Sequence, residues 1–100
     1  MRILLTGAGG AAAISVWKSL HQSHQLYMAD IDACAAGLYL VPESQRCIVP
    51  RGDSPQFAEK ILNVCIENKI NLIIPTVDVE LLALAKEKKL FLQIYVQEHY

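Results

Sequence analysis

A run of glycines directly after the first predicted strand is the first place in this sequence where chemistry is expected. Gly7, Gly9 and Gly10 allow a sharp turn and let a ligand approach bare backbone N–H groups. Ala11 begins a predicted helix whose positive end points at this turn, so the turn suits an anion. The spacing Gly7-x-Gly9-x-x-Ala12 also fits the dinucleotide fingerprint, with alanine as its third small residue.

Acidic residues follow the second predicted strand, at the distance that this fingerprint requires. Asp30 and Asp32 lie about 20 residues beyond the glycines, where an acid can hold a ribose 2′-hydroxyl. One interpretation is therefore a nicotinamide cofactor, NAD(P), bound by Gly7, Gly9, Gly10 and Asp30. The other is that the glycines serve only the tight turn and the close packing of the helix on the sheet. The residues alone leave both interpretations open.

A second group of polar side chains follows the fourth predicted strand. Thr76, Asp78 and Glu80 follow residues 71–75, which are nearly all apolar. Open α/β sheets bind ligands at strand ends beside a topological switch point, so we expect this group at the same crevice as the glycine turn. A carboxylate there could hold a substrate amine or a metal-bound group. The alternatives are that Asp78 is only a helix N-cap and that Glu80 is only a first-turn acid favoured by the helix dipole.

Other signatures of catalysis do not occur in the sequence. It contains no G-x-S-x-G, no phosphate-binding G-x-x-x-x-G-K-[ST] and no Tyr-x-x-x-Lys. Cys34, Cys47 and Cys65 are widely spaced, which favours reduced, mostly buried residues of a cytosolic protein over a disulfide frame or a zinc site. We therefore predict neither a catalytic residue nor a metal site, and we expect residues 51–53 to form a loop before a helix, with Arg51 able to face the crevice.

Composition and charge restrict the class of protein. The chain has 100 residues, 53% of them hydrophobic and 19% charged, with a formal net charge of −1, and its length suits one domain over residues 1–100. The charge gives no basic patch for nucleic acid or a membrane surface, and no apolar stretch reaches the ~20 residues that cross a bilayer. Without a signal-peptide pattern we expect a cytoplasmic protein. The high apolar content suggests a surface for another domain or for self-association.

Strand and helix patterns alternate along the chain, which predicts an α/β fold. We expect a three-layer Rossmann-like parallel sheet of about five strands, in the order 3-2-1-4-5, with helices on both faces. One predicted helix has Ser54 as its N-cap and Pro55 as its first residue, and another starts near Asp78 and carries lysines in its last turn. The predicted strands cover residues 2–6, 25–29, 46–49, 71–75 and 91–96.

Several segments occur in an order that resembles a known family. They are Ile3-Leu-Leu-Thr-Gly-Ala-Gly-Gly10, Met28-Ala-Asp-Ile-Asp32, Ala36-Gly-Leu-Tyr39, Val49-Pro-Arg-Gly-Asp53 and Leu72-Ile-Ile-Pro-Thr-Val-Asp-Val-Glu-Leu81. In this combination the chain resembles the N-terminal, pre-ATP-grasp domain of proteins similar to the carbamoyl-phosphate synthase large subunit. The resemblance covers nearly the whole chain and is more specific than the glycine turn alone.

The resemblance implies a role on the substrate side of an ATP-dependent ligase. In such proteins an ATP-grasp module binds Mg-ATP, activates a carboxylate as an acyl phosphate and joins it to an amine or a similar nucleophile. The N-terminal domain does not bind a dinucleotide but helps form the cleft for the small acceptor substrate, which here implies Gly9, Gly10, Thr76, Asp78 and Glu80. Nothing in this chain resembles the ATP-grasp module. We therefore expect the isolated chain to be inactive, whether excised or free-standing, with a face that docks the missing module or pairs with itself.

Overall fold

The computed structural model describes residues 1–86 of the chain. Its strands β1 (Arg2–Leu5), β2 (Gln25–Asp30), β3 (Arg46–Ile48) and β4 (Leu72–Ile74) form one parallel sheet in the order β3-β2-β1-β4. Three helices accompany the sheet, α1 (Ala11–Leu20), α2 (Phe57–Asn68) and α3 (Asp78–Lys86), and two short 3-10 segments, Ala36–Leu40 and Glu43–Gln45, lie between β2 and β3. The predicted Rossmann-like α/β fold is thus confirmed, with four strands in the expected order. The fifth predicted strand, residues 91–96, lies outside the described residues.

Alternate residues of the central strands fill two hydrophobic clusters, one on each face of the sheet. Ile3 and Leu5 pack on the face that carries α1, together with Ala13 of that helix. Leu4 packs on the opposite face with Phe57 of α2, and both side chains are fully buried. A parallel sheet covered on both faces needs apolar residues at successive positions, which explains why the strands appear in the sequence as continuous apolar runs.

The register of the sheet brings three strand ends to the same edge. Leu5 of β1 pairs with Met28 of β2 on one side and with Ile74 of β4 on the other. The chain leaves β1 for β2 on one side of the sheet and reaches β4 on the other side. The carboxyl ends of β1 and β4 therefore flank a topological switch point, as the sequence predicts.

The predicted start of α2 is wrong. The sequence favours Ser54 as N-cap and Pro55 as the first residue, whereas the helix begins at Phe57 after Gln56. The Ser54 hydroxyl accepts the N–H of Gln56 at 3.2 Å, and the Ser54 carbonyl accepts the N–H of Phe57 at 3.1 Å. These bonds form a local turn, in which the Ser54 hydroxyl accepts the N–H of Gln56 instead of capping the helix. Short hydroxyl side chains favour turns as well as helix caps.

The cysteines differ from the prediction in their burial. All three are free thiols, but Cys34 is exposed and Cys47 and Cys65 are only half-buried, so the expectation of mostly buried cysteines is wrong. Loss of water contact raises the pKa of the Cys47 thiol, and it raises the pKa of Cys65 to about 12. These two thiols therefore stay protonated at neutral pH and are poor nucleophiles.

Candidate functional site

The residue at the centre of the crevice is Thr6, which lies just beyond β1. It is fully buried, and its N–H donates to the carbonyl of Ile74 at the end of β4, at 3.3 Å. The prediction placed Thr6 inside the strand and gave it no role. In the structure its remaining polar groups hold two of the residues that were predicted to bind a substrate.

Thr76 is fixed against the end of β1 and against the glycine turn. Its hydroxyl donates to the carbonyl of Thr6 at 2.8 Å. Gly7 has a φ of +66°, and a β-carbon at Gly7 would collide with the Thr76 hydroxyl and lie 3.0 Å from Val77. Only glycine fits at this position, because the left-handed backbone and the close approach of Thr76 both exclude a side chain.

Glu80 is the buried carboxylate of the site, with only 5% of its surface exposed. The Thr6 hydroxyl donates to the Glu80 Oε1 atom at 2.8 Å. Burial raises the pKa of the Glu80 carboxyl, the hydrogen bond from Thr6 lowers this pKa in part, and the nearby charge of Asp30 raises it again. Asp30, the last residue of β2, is thus close enough to Glu80 in α3 to act on its ionisation.

The loop before α2 closes over the buried carboxylate. A β-carbon at Gly52 would lie 2.9 Å from the Glu80 Cγ atom and 3.0 Å from its backbone nitrogen. Gly52 is therefore required by the close approach of this loop to α3. Arg51, which was expected to be able to face the crevice, is instead highly exposed and forms an ion pair with Asp53 at 3.2 Å.

The N–H groups of the glycine turn are largely used by the chain itself. The Gly9 N–H donates to Asp30 Oδ2 at 2.8 Å, and the Gly10 N–H donates to the Gly7 carbonyl at 2.9 Å. The other oxygen of Asp30 accepts the N–H of Asp32 at 3.0 Å. A carboxylate thus occupies the position where the prediction expected a bound anion, and its charge would repel a phosphate.

The 3-10 segment Ala36–Leu40 covers the other side of the turn. The Gly37 N–H donates to the Ala8 carbonyl at 3.0 Å, and a β-carbon at Gly37 would collide with that same oxygen. This cover, together with the engaged Asp30 carboxylate, does not favour the NAD(P) interpretation. The acid that should accept the ribose hydroxyl already accepts two backbone N–H groups.

The structure joins two of the predicted substrate-binding residues through a common partner and leaves the other three exposed. Thr76 and Glu80 meet through Thr6, and Gly9 and Gly10 are exposed on the adjoining turn. Asp78 is exposed and is the first residue of α3, so its predicted role as N-cap is wrong. The Val77 carbonyl accepts the N–H of Glu80 at 3.0 Å. Val77 is therefore the residue at the N-cap position, and Asp78 follows it inside the helix.

Sequence reasoning missed Thr6 and Gly52. The only available signal for Thr6 was a hydroxyl residue at the end of a buried strand, where a polar group needs a partner. Gly52 stood in a tripeptide that was interpreted only as a loop. Both act on Glu80 across a long stretch of sequence, and no local pattern indicates such a contact.

Within residues 1–86, no group of three His, Cys, Asp or Glu side chains lies close enough together to hold a metal ion. No helix in the described part of the chain is long and apolar enough to cross a membrane.

Comparison with known proteins agrees with the resemblance at the level of the domain class. No curated protein matches the chain. The family described as "PylC-like, N-terminal domain" matches residues 3–98. This match supports the N-terminal domain of an ATP-grasp protein, while the closer likeness to carbamoyl-phosphate synthase is not confirmed. Because the match spans nearly the whole chain, the protein belongs to the PylC-like N-terminal domain family.

Proposed function

We propose that this chain is the substrate-side N-terminal domain of an ATP-dependent ligase that resembles the carbamoyl-phosphate synthase large subunit. Residues 1–100 form a single pre-ATP-grasp domain in this proposal. The observation that carries it is the meeting of Thr76 and Glu80 at the switch point of the sheet, joined by Thr6. The family match over residues 3–98 supports the same assignment.

The chemistry of the crevice suits the amine partner of a ligation. Within residues 1–86, no lysine or arginine forms an ion pair with Glu80, whose carboxylate is nevertheless buried. Burying an ionised carboxylate without an opposite charge is unfavourable, and a substrate ammonium group would remove that cost. In this proposal Glu80 binds the amine, Thr76 lies beside it through their shared partner Thr6, and Gly9, Gly10 and Asp78 contact the substrate from the rim.

Mg-ATP belongs to the ATP-grasp module in this proposal and not to the described residues. The glycine turn carries the Asp30 carboxylate on its N–H groups, and the described residues hold no cluster of metal ligands. They therefore do not fit a nucleotide phosphate with its magnesium ion. On its own, the chain is expected to hydrolyse no ATP.

Exposed apolar side chains support docking of a further module. Ile31, Tyr39 and Ile48 are each about half exposed or more, at 52%, 61% and 48%, and all three lie near the carboxyl ends of β2 and β3. Large apolar residues grouped at one edge of a domain indicate an interaction surface. In the proposal this edge faces the ATP-grasp module, and in the isolated chain it can pair with a second copy.

The test uses the complete ligase with its ATP-grasp module and a panel of amino acids as acceptors, with ADP release as the readout. Glu80→Gln keeps the shape of the side chain but removes its charge. We expect kcat/KM for the acceptor to fall by about 30-fold or more, because losing one partner of a buried charge pair costs about 2 kcal/mol or more. The matched control is Glu59→Gln on the exposed first turn of α2, which should retain full activity. Equal activity of both variants would contradict the assignment of Glu80.

A further inference from the structure

Thr6 makes three hydrogen bonds with three different functional groups. Its N–H reaches the Ile74 carbonyl, its carbonyl accepts the Thr76 hydroxyl, and its own hydroxyl donates to Glu80. The two side-chain bonds span 70 and 74 residues of sequence. A single buried residue therefore joins the end of β1 to the end of β4 and to the first turn of α3.

We propose that Thr6 is a positioning residue, which holds the Glu80 carboxylate and the Thr76 side chain in the orientation that the acceptor substrate requires. The proposal rests on the proposed function for the identity of the ligand. The hydrogen bond from Thr6 to the Glu80 carboxylate can be tested without any ligand.

The surroundings of Glu80 explain why one hydroxyl can determine its orientation. Gly52 approaches the Glu80 side chain so closely that a β-carbon there would lie 2.9 Å from Cγ. Thr6 contacts the far end of the same side chain at Oε1. With its stem limited by the loop and one oxygen bonded to Thr6, the carboxylate has little rotational freedom left.

The donor in this bond must be the threonine. An ionised carboxylate can only accept, so the Thr6 hydroxyl proton points at Oε1 of Glu80. The Thr6 carbonyl accepts the Thr76 hydroxyl independently of this bond. Valine has nearly the same shape as threonine but cannot donate. Serine lacks only the methyl group and retains the donor, so these two replacements separate hydrogen bonding from packing.

The experiment follows the Glu80 side-chain carboxyl of this chain by ¹³C NMR during a pH titration, with Glu80→Gln used to assign the signal. Thr6→Val is expected to raise the titration midpoint by about one pH unit or more, because a donor to the ionised form is lost. Thr6→Ser is expected to stay close to the parent value. An unchanged midpoint in Thr6→Val would overturn the proposal.

A variant that fails to fold does not end the test. Thr6→Cys has a similar volume and only a weak S–H donor, so its midpoint should move in the same direction as that of Thr6→Val. A folded Thr6→Cys variant with the parent midpoint would overturn the proposal in the same way. The Glu59→Gln variant, far from Thr6 on α2, should leave the Glu80 midpoint unchanged.

Kinetics of the complete ligase then separate this proposal from the proposed function. If Thr6 positions an acceptor-binding group, Thr6→Val should lower kcat/KM for the amino acid acceptor by about tenfold, and Thr6→Ser should restore most of it. A shifted titration with unchanged kinetics would retain Thr6 as the residue that holds Glu80 and would refute the acceptor site. An unshifted titration would refute the role of Thr6 whatever the kinetics show.

Discussion

The glycine in the 3-10 segment offers a sharp test of how the glycine turn is held. We consider Gly37→Ala, because a β-carbon at Gly37 would collide with the backbone oxygen of Ala8. A backbone atom cannot rotate away as a side chain can, so the whole segment Ala36–Leu40 must move. The hydrogen bond from the Gly37 N–H to the Ala8 carbonyl is then broken.

The size of the effect follows from the two contacts that are lost. One backbone hydrogen bond contributes about 0.5–1.5 kcal/mol to stability. Leu38, of which only 1% is exposed, moves partly out of the core, and full burial of a leucine is worth about 1.5–3 kcal/mol. With about half of that burial lost, the two contacts together give a loss of about 1–3 kcal/mol in the free energy of unfolding. For a domain of this size that corresponds to a fall in Tm of roughly 5–25 °C.

Thermal and urea unfolding of this chain, followed by circular dichroism, measure the change. Gly10→Ala is the matched control: it lies in the turn itself, but its β-carbon would meet only the Gly7 carbonyl at an ordinary 3.4 Å. Its free energy of unfolding should change by less than about 0.5 kcal/mol. Equal stability of Gly37→Ala and Gly10→Ala would refute the reasoning, since it would mean that the covering segment does not depend on close contact with Ala8.

Three further predictions concern charge, thiol reactivity and backbone strain. Because the pKa of Glu80 is raised in the folded chain, ionisation of Glu80 lowers the free energy of unfolding. The protonated side chain contributes its full stability below the unfolded-state pKa of about 4.3, and this stability is lost as the pH rises through the folded-state pKa. Urea unfolding should therefore show Glu80→Gln gaining stability over the parent chain at pH 7, with the gain disappearing near pH 4. In native alkylation at pH 8, mass spectrometry should find exposed Cys34 modified much faster than half-buried Cys65, and similar rates would contradict the raised pKa of the Cys65 thiol. Lys69 follows the last residue of α2 and has a left-handed φ of 54°, a conformation that glycine adopts without strain. In a denaturant titration, Lys69→Gly should raise the free energy of unfolding by about 0.5–1 kcal/mol. A lower free energy of unfolding would show that the Lys69 side chain contributes more to stability than its backbone strain costs.

The fold could be predicted from the sequence because its signals are local. The apolar runs that became β1 and β4 have the length of buried strands, and alternation with helices restricts the connections to parallel ones. The start of α2 was missed because Ser54 can satisfy either a helix or a turn, and only the surrounding chain decides between them.

The candidate site was predicted in part. The switch point and the type of side chain at Thr76 and Glu80 follow from the order of strands and from their sequence position. The Asp30 carboxylate accepts the Gly9 N–H because of the register between β1 and β2, and no residue pattern reveals that register. Thr6 went unnoticed because its partner Glu80 is 74 residues away in the sequence.

The strand order also determines when the crevice can come into existence during synthesis. β1 is made first, yet the N–H of its Arg2 donates to the side-chain oxygen of Asn71, which directly precedes β4 and is 69 residues later in the sequence. At about 5–20 residues per second, a ribosome needs roughly 3–14 s to supply that partner. Throughout this interval the side of β1 opposite β2 is an unpaired strand edge. A chain released before Leu72 would keep that apolar edge open to other chains, so premature termination in this domain is expected to produce aggregates rather than a smaller folded unit.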